Sequence, residues 1–273
     1  MNRIFELLHG EEPERDINLI RLEEERKEKK IKSALVAPVF KVEDDYCEAP
    51  HPNLLRLPFS LLEVAPKGSG KTVLLQNLLV WYHQYFDNIF VWSPTINLDV
   101  KWRMLIDELQ IPEENLFTRY TDTTVEMIMN KIRDFNTGKE NNDKIRCLFV
   151  FDDIIDQLPK NQKECALNKL AFNHRHYNIS HIIISQSFKK LDCNLRANTT
   201  GMILFNSDNS AERRKIVEEL CGNLGMKKFN EIYRKCVREK YCFMYINYDS
   251  RKVYKNFTEV MANLDDEVEG IDF

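Results

Sequence analysis

The sequence predicts an α/β fold: a mostly parallel sheet with helices on both faces. Three observations predict it. From Leu54 onward, apolar β-like runs alternate with helical patterns. One of those runs, Cys147 to Phe151, is uninterrupted and ends in two acids, and another, ahead of Ala65, leads straight into a glycine-rich turn and a helix. Strands of a parallel sheet are covered on both faces by crossover helices, so they read as continuous apolar runs rather than alternating ones.

The elements follow in order. The first 53 residues are an extension, in which Arg21 to Lys32 (RLEEERKEKKIK) suits an exposed helix with opposite charges three or four apart, and Leu35 to Val42 suits a strand. The core spans residues 54–256. Strands are expected at Pro58 to Val64, Asn88 to Ser93, Leu116 to Tyr120, Ile145 to Asp152, Ser180 to Ser185 and Gly201 to Asn206. Helices are expected at Lys71 to Tyr85, Val100 to Leu109, Thr124 to Asn136, Gln162 to Arg175, Ser210 to Leu220 and Lys227 to Arg238. Tyr241 to Asn247 with Lys252 to Asn256 reads as a closing hairpin, and residues 257–273, acidic and without Lys or Arg, as a loosely ordered tail.

Composition limits the alternatives. A chain of 273 residues with 43% hydrophobic residues can bury one large core. No apolar run approaches the roughly 18 residues that cross a bilayer, and the amino terminus lacks the apolar core of a secretory signal. The seven cysteines are scattered and never paired as CxxC, which points to a reducing, intracellular setting and against a zinc ribbon or disulfide framework. A net charge of -4 excludes a general polyanion trap, so nucleic-acid contact must be local or assembled by oligomerisation.

Ala65-Pro66-Lys67-Gly68-Ser69-Gly70-Lys71-Thr72 matches the P-loop pattern in all but one position. Glycines let successive N–H groups turn toward phosphate oxygens, and the following helix points its positive end at them. Lys71 is expected on the β- and γ-phosphates of ATP and the Thr72 hydroxyl on Mg2+. The departure is Ala65, where the pattern has glycine; alanine fits there only with φ below zero.

Asp152 and Asp153 end the Cys147 to Phe151 run, where ligands of a parallel sheet bind. Asp152 is expected to hold magnesium, and Asp153 to orient or deprotonate the attacking water. Gln186 follows the apolar strand Ile182 to Ser185, placed to sense a γ-phosphate or position water by hydrogen bonding. His174, His176, His181 and Cys165 lie close in sequence but fit no common zinc spacing. Trp81, Tyr82, Tyr85 and Phe86 read as core against the sheet rather than a base-stacking platform. Lys189 and Lys190 are candidates for DNA contact.

The spacing from the phosphate loop through DD to a strand ending in SQ, with the segments around Arg175 and Arg196, resembles the FtsK/HerA branch of RecA/FtsK-like P-loop ATPases. Within it the chain looks most like the poxvirus-type genome-packaging ATPases of large DNA viruses and virophages, over about Leu57 to Asn256. The resemblance implies a homo-oligomeric ring, a hexamer or pentamer, that hydrolyses ATP to thread double-stranded DNA into a preformed capsid. It also implies a host-cytoplasmic or virion-associated setting, with capsid or membrane-associated viral proteins as further partners. Arg175 or Arg196 matches the arginine that would reach the neighbouring subunit's γ-phosphate, and the sequence leaves the choice open. A helicase or segregation motor, or a capsid assembly protein that does not move DNA, are the alternatives. A GTPase switch lacks its DxxG and NKxD, and a small-molecule kinase its arginine-rich lid.

Overall fold

The structure is a computed structural model, and it describes residues 47–266. The helix and strand expected within residues 21–42 lie outside that range. Nine strands form one sheet in the order β3-β2-β4-β5-β1-β6-β7-β8-β9. They are β1 (Ser60–Val64), β2 (Asn88–Trp92), β3 (Leu116–Phe117), β4 (Cys147–Asp152), β5 (Ile179–Ser185), β6 (Gly201–Phe205), β7 (Phe243–Asn247), β8 (Lys252–Lys255) and β9 (Glu259–Asn263). The first six run parallel, and β7, β8 and β9 add antiparallel to β6.

Seven α-helices cover the sheet among the described residues: α1 (Lys71–Tyr82), α2 (Val100–Leu109), α3 (Asp122–Asn136), α4 (Ala166–Tyr177), α5 (Cys193–Ala197), α6 (Ser210–Leu220) and α7 (Gly225–Cys236). Alternation along the strands divides the core in two. Leu61, Val91, Leu148, Val150 and Ile184 join α1 and α2 in one cluster. Leu62, Val64, Phe149, Phe151 and Ile183 join α3, α4, α6 and α7 in the other. The central strands β1, β4 and β5 are buried at every position, which is why they read as largely apolar runs, unbroken in β4 from Cys147 to Phe151.

Local chemistry sets the helix ends. Thr121 accepts from the Thr124 amide, so α3 starts two residues before its expected start at Thr124. Asn178 ends α4 in the left-handed conformation, φ 55, closing the turn into β5. The stretch expected as one helix from Gln162 is a 3-10 turn, Gln162–Glu164, followed by α4.

The tail needs correction. Residues 259–263 are not loosely ordered: they form β9, paired with β8. Only Ala262 of this edge strand is buried, so the strand carries little apolar signal and is hidden by the acidic stretch it belongs to. Residues 267–273 lie outside the described range. Tyr82 packs in the core with its hydroxyl donating to the Leu55 carbonyl at 2.8 Å, whereas Trp81 is exposed and meets Phe257 edge-on.

Candidate active site

Three neighbouring strands bring the site together. β5 lies between β4 and β1, so the carboxyl ends of all three meet at one edge of the sheet. The loop after β1 is Ala65 to Gly70, and Ala65 N–H donates to the Ser185 carbonyl of β5 at 2.9 Å, tying the loop to the neighbouring strand end. Ala65 is fully buried and is not among the residues with positive φ, so alanine is free of strain there. Gly68 and Gly70, at φ 80 and 103, take the left-handed conformation that glycine alone adopts without strain.

Gly70 caps α1 without a side-chain hydrogen bond, so no side chain satisfies the first-turn amides of α1. The Ser69 hydroxyl is buried with no hydrogen-bond partner among the described residues. An anion is the group that such a set of donors suits. The residues present therefore fit a phosphate chain.

Lys71, the first residue of α1, reaches across to the end of β4. Its Nζ donates to Asp153 Oδ2 and lies 3.6 Å from Asp152 Oδ1. Asp152 points to the α1 face, in step with Leu148 and Val150, and is buried. It accepts from the Ser93 hydroxyl at 3.2 Å and from Trp102 Nε1 at 3.3 Å. Burial raises its pKa above the usual aspartate value; the Lys71 ammonium opposes this, and the charge of Asp153 adds to it.

Asp153 leaves the strand with φ 53, a conformation in which aspartate is one of the few tolerated side chains. Gln186 Nε2 donates to Asp153 Oδ1 at 3.1 Å. The four residues singled out in the sequence for this edge, Lys71, Asp152, Asp153 and Gln186, thus form one connected cluster.

The two arginines do not join it. Arg175 is exposed near the end of α4, which leads straight to the start of β5, the opposite end of the strands from the phosphate loop. Arg196 is 8% exposed and binds Glu219 through Nε at 2.6 Å and Nη2 at 2.8 Å. Its Nη1 donates to the Phe188 and Leu191 carbonyls, and its guanidinium stacks 4.7 Å from the Phe188 ring centroid. Within this chain it is a buried brace for the segment that follows Gln186.

Four residues of the site escaped the sequence reading. Ser93 and Trp102 hold Asp152 in place. Glu212, on α6, accepts from the Ser187 hydroxyl at 2.5 Å and the Phe188 amide at 3.1 Å, fixing the loop just after Gln186. Glu63 lies fully buried on β1, with neither carboxyl oxygen hydrogen-bonded among the described residues. Burial, reinforced by Asp152, pushes its carboxyl well above the usual range, with Lys71 opposing. A glutamate inside the otherwise apolar run Ser60–Val64 was the available signal.

His174 and His181 pack edge-to-face with ring centroids 5.5 Å apart. His174 Nδ1 donates to the Ala171 carbonyl at 3.0 Å, and His181 Nε2 lies 2.8 Å from the Ser60 hydroxyl. Burial lowers both pKa values. Below about pH 6.5 the unfolded chain therefore binds more protons than the folded one, and folding stability falls as pH drops through that value. We expect the unfolding free energy of parent protein to decline between about pH 6.5 and 5 more steeply than that of His181→Gln, by up to about 1.4 kcal/mol per pH unit. Equal slopes in urea titrations would remove His181 from the account.

Sheet order, phosphate loop and acid pair together define the fold of a P-loop NTPase. Residues 48–268 match the poxvirus A32 protein family, and the chain belongs to it. Among its relatives, the DNA packaging protein OPG160 of Variola virus is 26% identical over 154 residues, 56% of this chain and 55% of that protein. The chain thus matches about half the length of these curated relatives. Among solved structures, B204, the DNA-packaging ATPase of Sulfolobus turreted icosahedral virus, shares the fold with a TM-score of 0.55 at 14% identity, covering 73% of this chain and 97% of that one. The same kind of NTPase from Sulfolobus turreted icosahedral virus 2, solved in complex with ATP-gammaS, aligns with a TM-score of 0.51 at 14% identity, over 72% of this chain and 96% of that one.

Proposed function

We propose that this chain is a magnesium-dependent ATPase that translocates double-stranded DNA and packages a viral genome, acting as a ring of identical subunits in an intracellular setting. The observation that carries the reading is the convergence of Lys71, Asp152, Asp153 and Gln186 on one edge of the sheet beside a helix whose first turn is open to an anion. Membership of the poxvirus A32 family and the name of the Variola relative supply the DNA-packaging part.

In this reading the loop amides and Lys71 bind and orient the phosphates. Thr72 and Asp152 would hold magnesium, which when bound supplies positive charge against the β- and γ-phosphates. Asp153, held by Gln186, accepts the proton of the attacking water or aligns it. Of the two candidate arginines, Arg196 is buried and Arg175 exposed, and we assign Arg175 to the neighbouring subunit's γ-phosphate. Exposed lysines 160, 163, 189 and 190 line the loops that follow Asp153 and Gln186, which links the hydrolytic edge to a surface suited to DNA phosphates. No described helix is long and apolar enough to cross a membrane.

The test is ATP turnover with and without double-stranded DNA at low and rising salt. Turnover is expected to rise with DNA, and the rise to fade as salt screens the phosphate contacts. Hydrolysis indifferent to DNA across that range would sink the motor and leave a nucleotide-dependent assembly protein.

A further inference from the structure

The loop between α7 and β7 carries an aromatic ring that the hydrolytic cluster does not use. Tyr241 is 58% exposed, yet it stands against the phosphate loop: a Cβ placed on Gly70 would lie 3.1 Å from its Cδ1. Its backbone is at φ 70, a conformation that bulky residues rarely take and that persists where surrounding structure enforces it. The enforcement is visible. Cys242 N–H donates to the Glu239 carbonyl at 3.2 Å, Phe243 N–H to Asn256 Oδ1 at 3.2 Å, and Lys255 Nζ to Glu239 Oε1 at 3.0 Å. The Lys240 ammonium lies 4.9 Å from the ring centroid. A strained backbone thus holds an exposed ring in place, although the ring buries little surface.

Sheet order says what the ring faces. The acids and Gln186 stand on the β4 and β5 side of the phosphate loop, so the γ-phosphate end of a bound nucleotide points that way. The rest of the nucleotide must leave on the other side of β1, toward β6 and β7. Phe243, two residues after Tyr241, pairs with Phe205 at the carboxyl end of β6, which puts the Tyr241 loop at that same edge.

We propose that Tyr241 is the platform on which the purine base of ATP stacks, with Lys240 beside it. An aromatic face recognises a base by stacking, which needs no hydrogen-bond match. The proposal rests on the phosphate-loop reading above and deepens it.

Binding of ATP and of inorganic tripolyphosphate, each with magnesium, separates the two. For Tyr241→Ala we expect ATP to bind about tenfold more weakly while tripolyphosphate, which has no base, changes by less than about twofold. Tyr241→Phe, which keeps the ring, should bind ATP within about twofold of the parent. An unchanged ATP affinity in Tyr241→Ala overturns the proposal. So does an equal loss for ATP and tripolyphosphate, which would make the ring a prop for Gly70. Parent protein that binds neither compound would overturn the phosphate-loop reading itself, a result distinct from the other two.

Discussion

Lys71→Ala is expected to abolish ATP binding at ordinary nucleotide concentrations and to lower kcat/KM by on the order of a thousandfold, the range seen when a preorganised charge is removed from a transition state. The structure adds a second consequence. Lys71 is the cation between Asp152 and Asp153, and without it two carboxylates face each other beside the buried Glu63. Removing one partner of a fully buried pair costs about 3–5 kcal/mol, and since the Asp153 side chain is 29% exposed we expect about 1–2 kcal/mol of lost folding stability. Isothermal titration with ATP and urea unfolding check the two parts independently. Tight ATP binding by Lys71→Ala would remove the lysine from the phosphate site.

Asp153→Asn should behave differently: ATP binding within about threefold of the parent, with turnover reduced by about 10²–10⁴. Asparagine has the same shape and also tolerates the left-handed backbone, φ 53, that Asp153 adopts. The amide can still accept from Gln186 but cannot take a proton from water. Removing one negative charge relieves Asp152, whose carboxyl Asp153 pushes upward, but it also breaks the Lys71–Asp153 ion pair, so folding stability should fall by no more than about 1 kcal/mol. Single-turnover hydrolysis beside equilibrium binding makes the comparison. Unchanged hydrolysis in Asp153→Asn would leave Asp153 as a structural acid only.

Much of this was legible in the sequence because the central strands carry their signal in bulk. β1, β4 and β5 are buried on both faces, so their largely apolar runs and the polar residues that end them located the phosphate loop, the acids and Gln186. The residues around them were not legible, for reasons of distance and disguise. Ser93 and Trp102 reach Asp152 across 59 and 50 residues of chain, and nothing local to either marks the contact. Glu212 looks like an ordinary first-turn acid of α6, and only the fold shows it holding Ser187 and Phe188. Arg196 was read as a basic position open to a neighbour, and its burial against Glu219 depends on α5, a five-residue helix too short to show periodicity. β9 was missed because an edge strand needs little apolar surface.

Strand pairing has one more consequence for the chemistry. Asp152 pairs with Ile184 across β4 and β5, while Glu63 pairs with that same Ile184 across β1 and β5, so three strands are locked to a common ruler by their hydrogen bonds. A slip of β4 by a single residue would carry Asp152 to the opposite face of the sheet, away from Lys71. The relative placement of Asp152 and Glu63 is therefore an arithmetic property of the backbone, counted in whole residues.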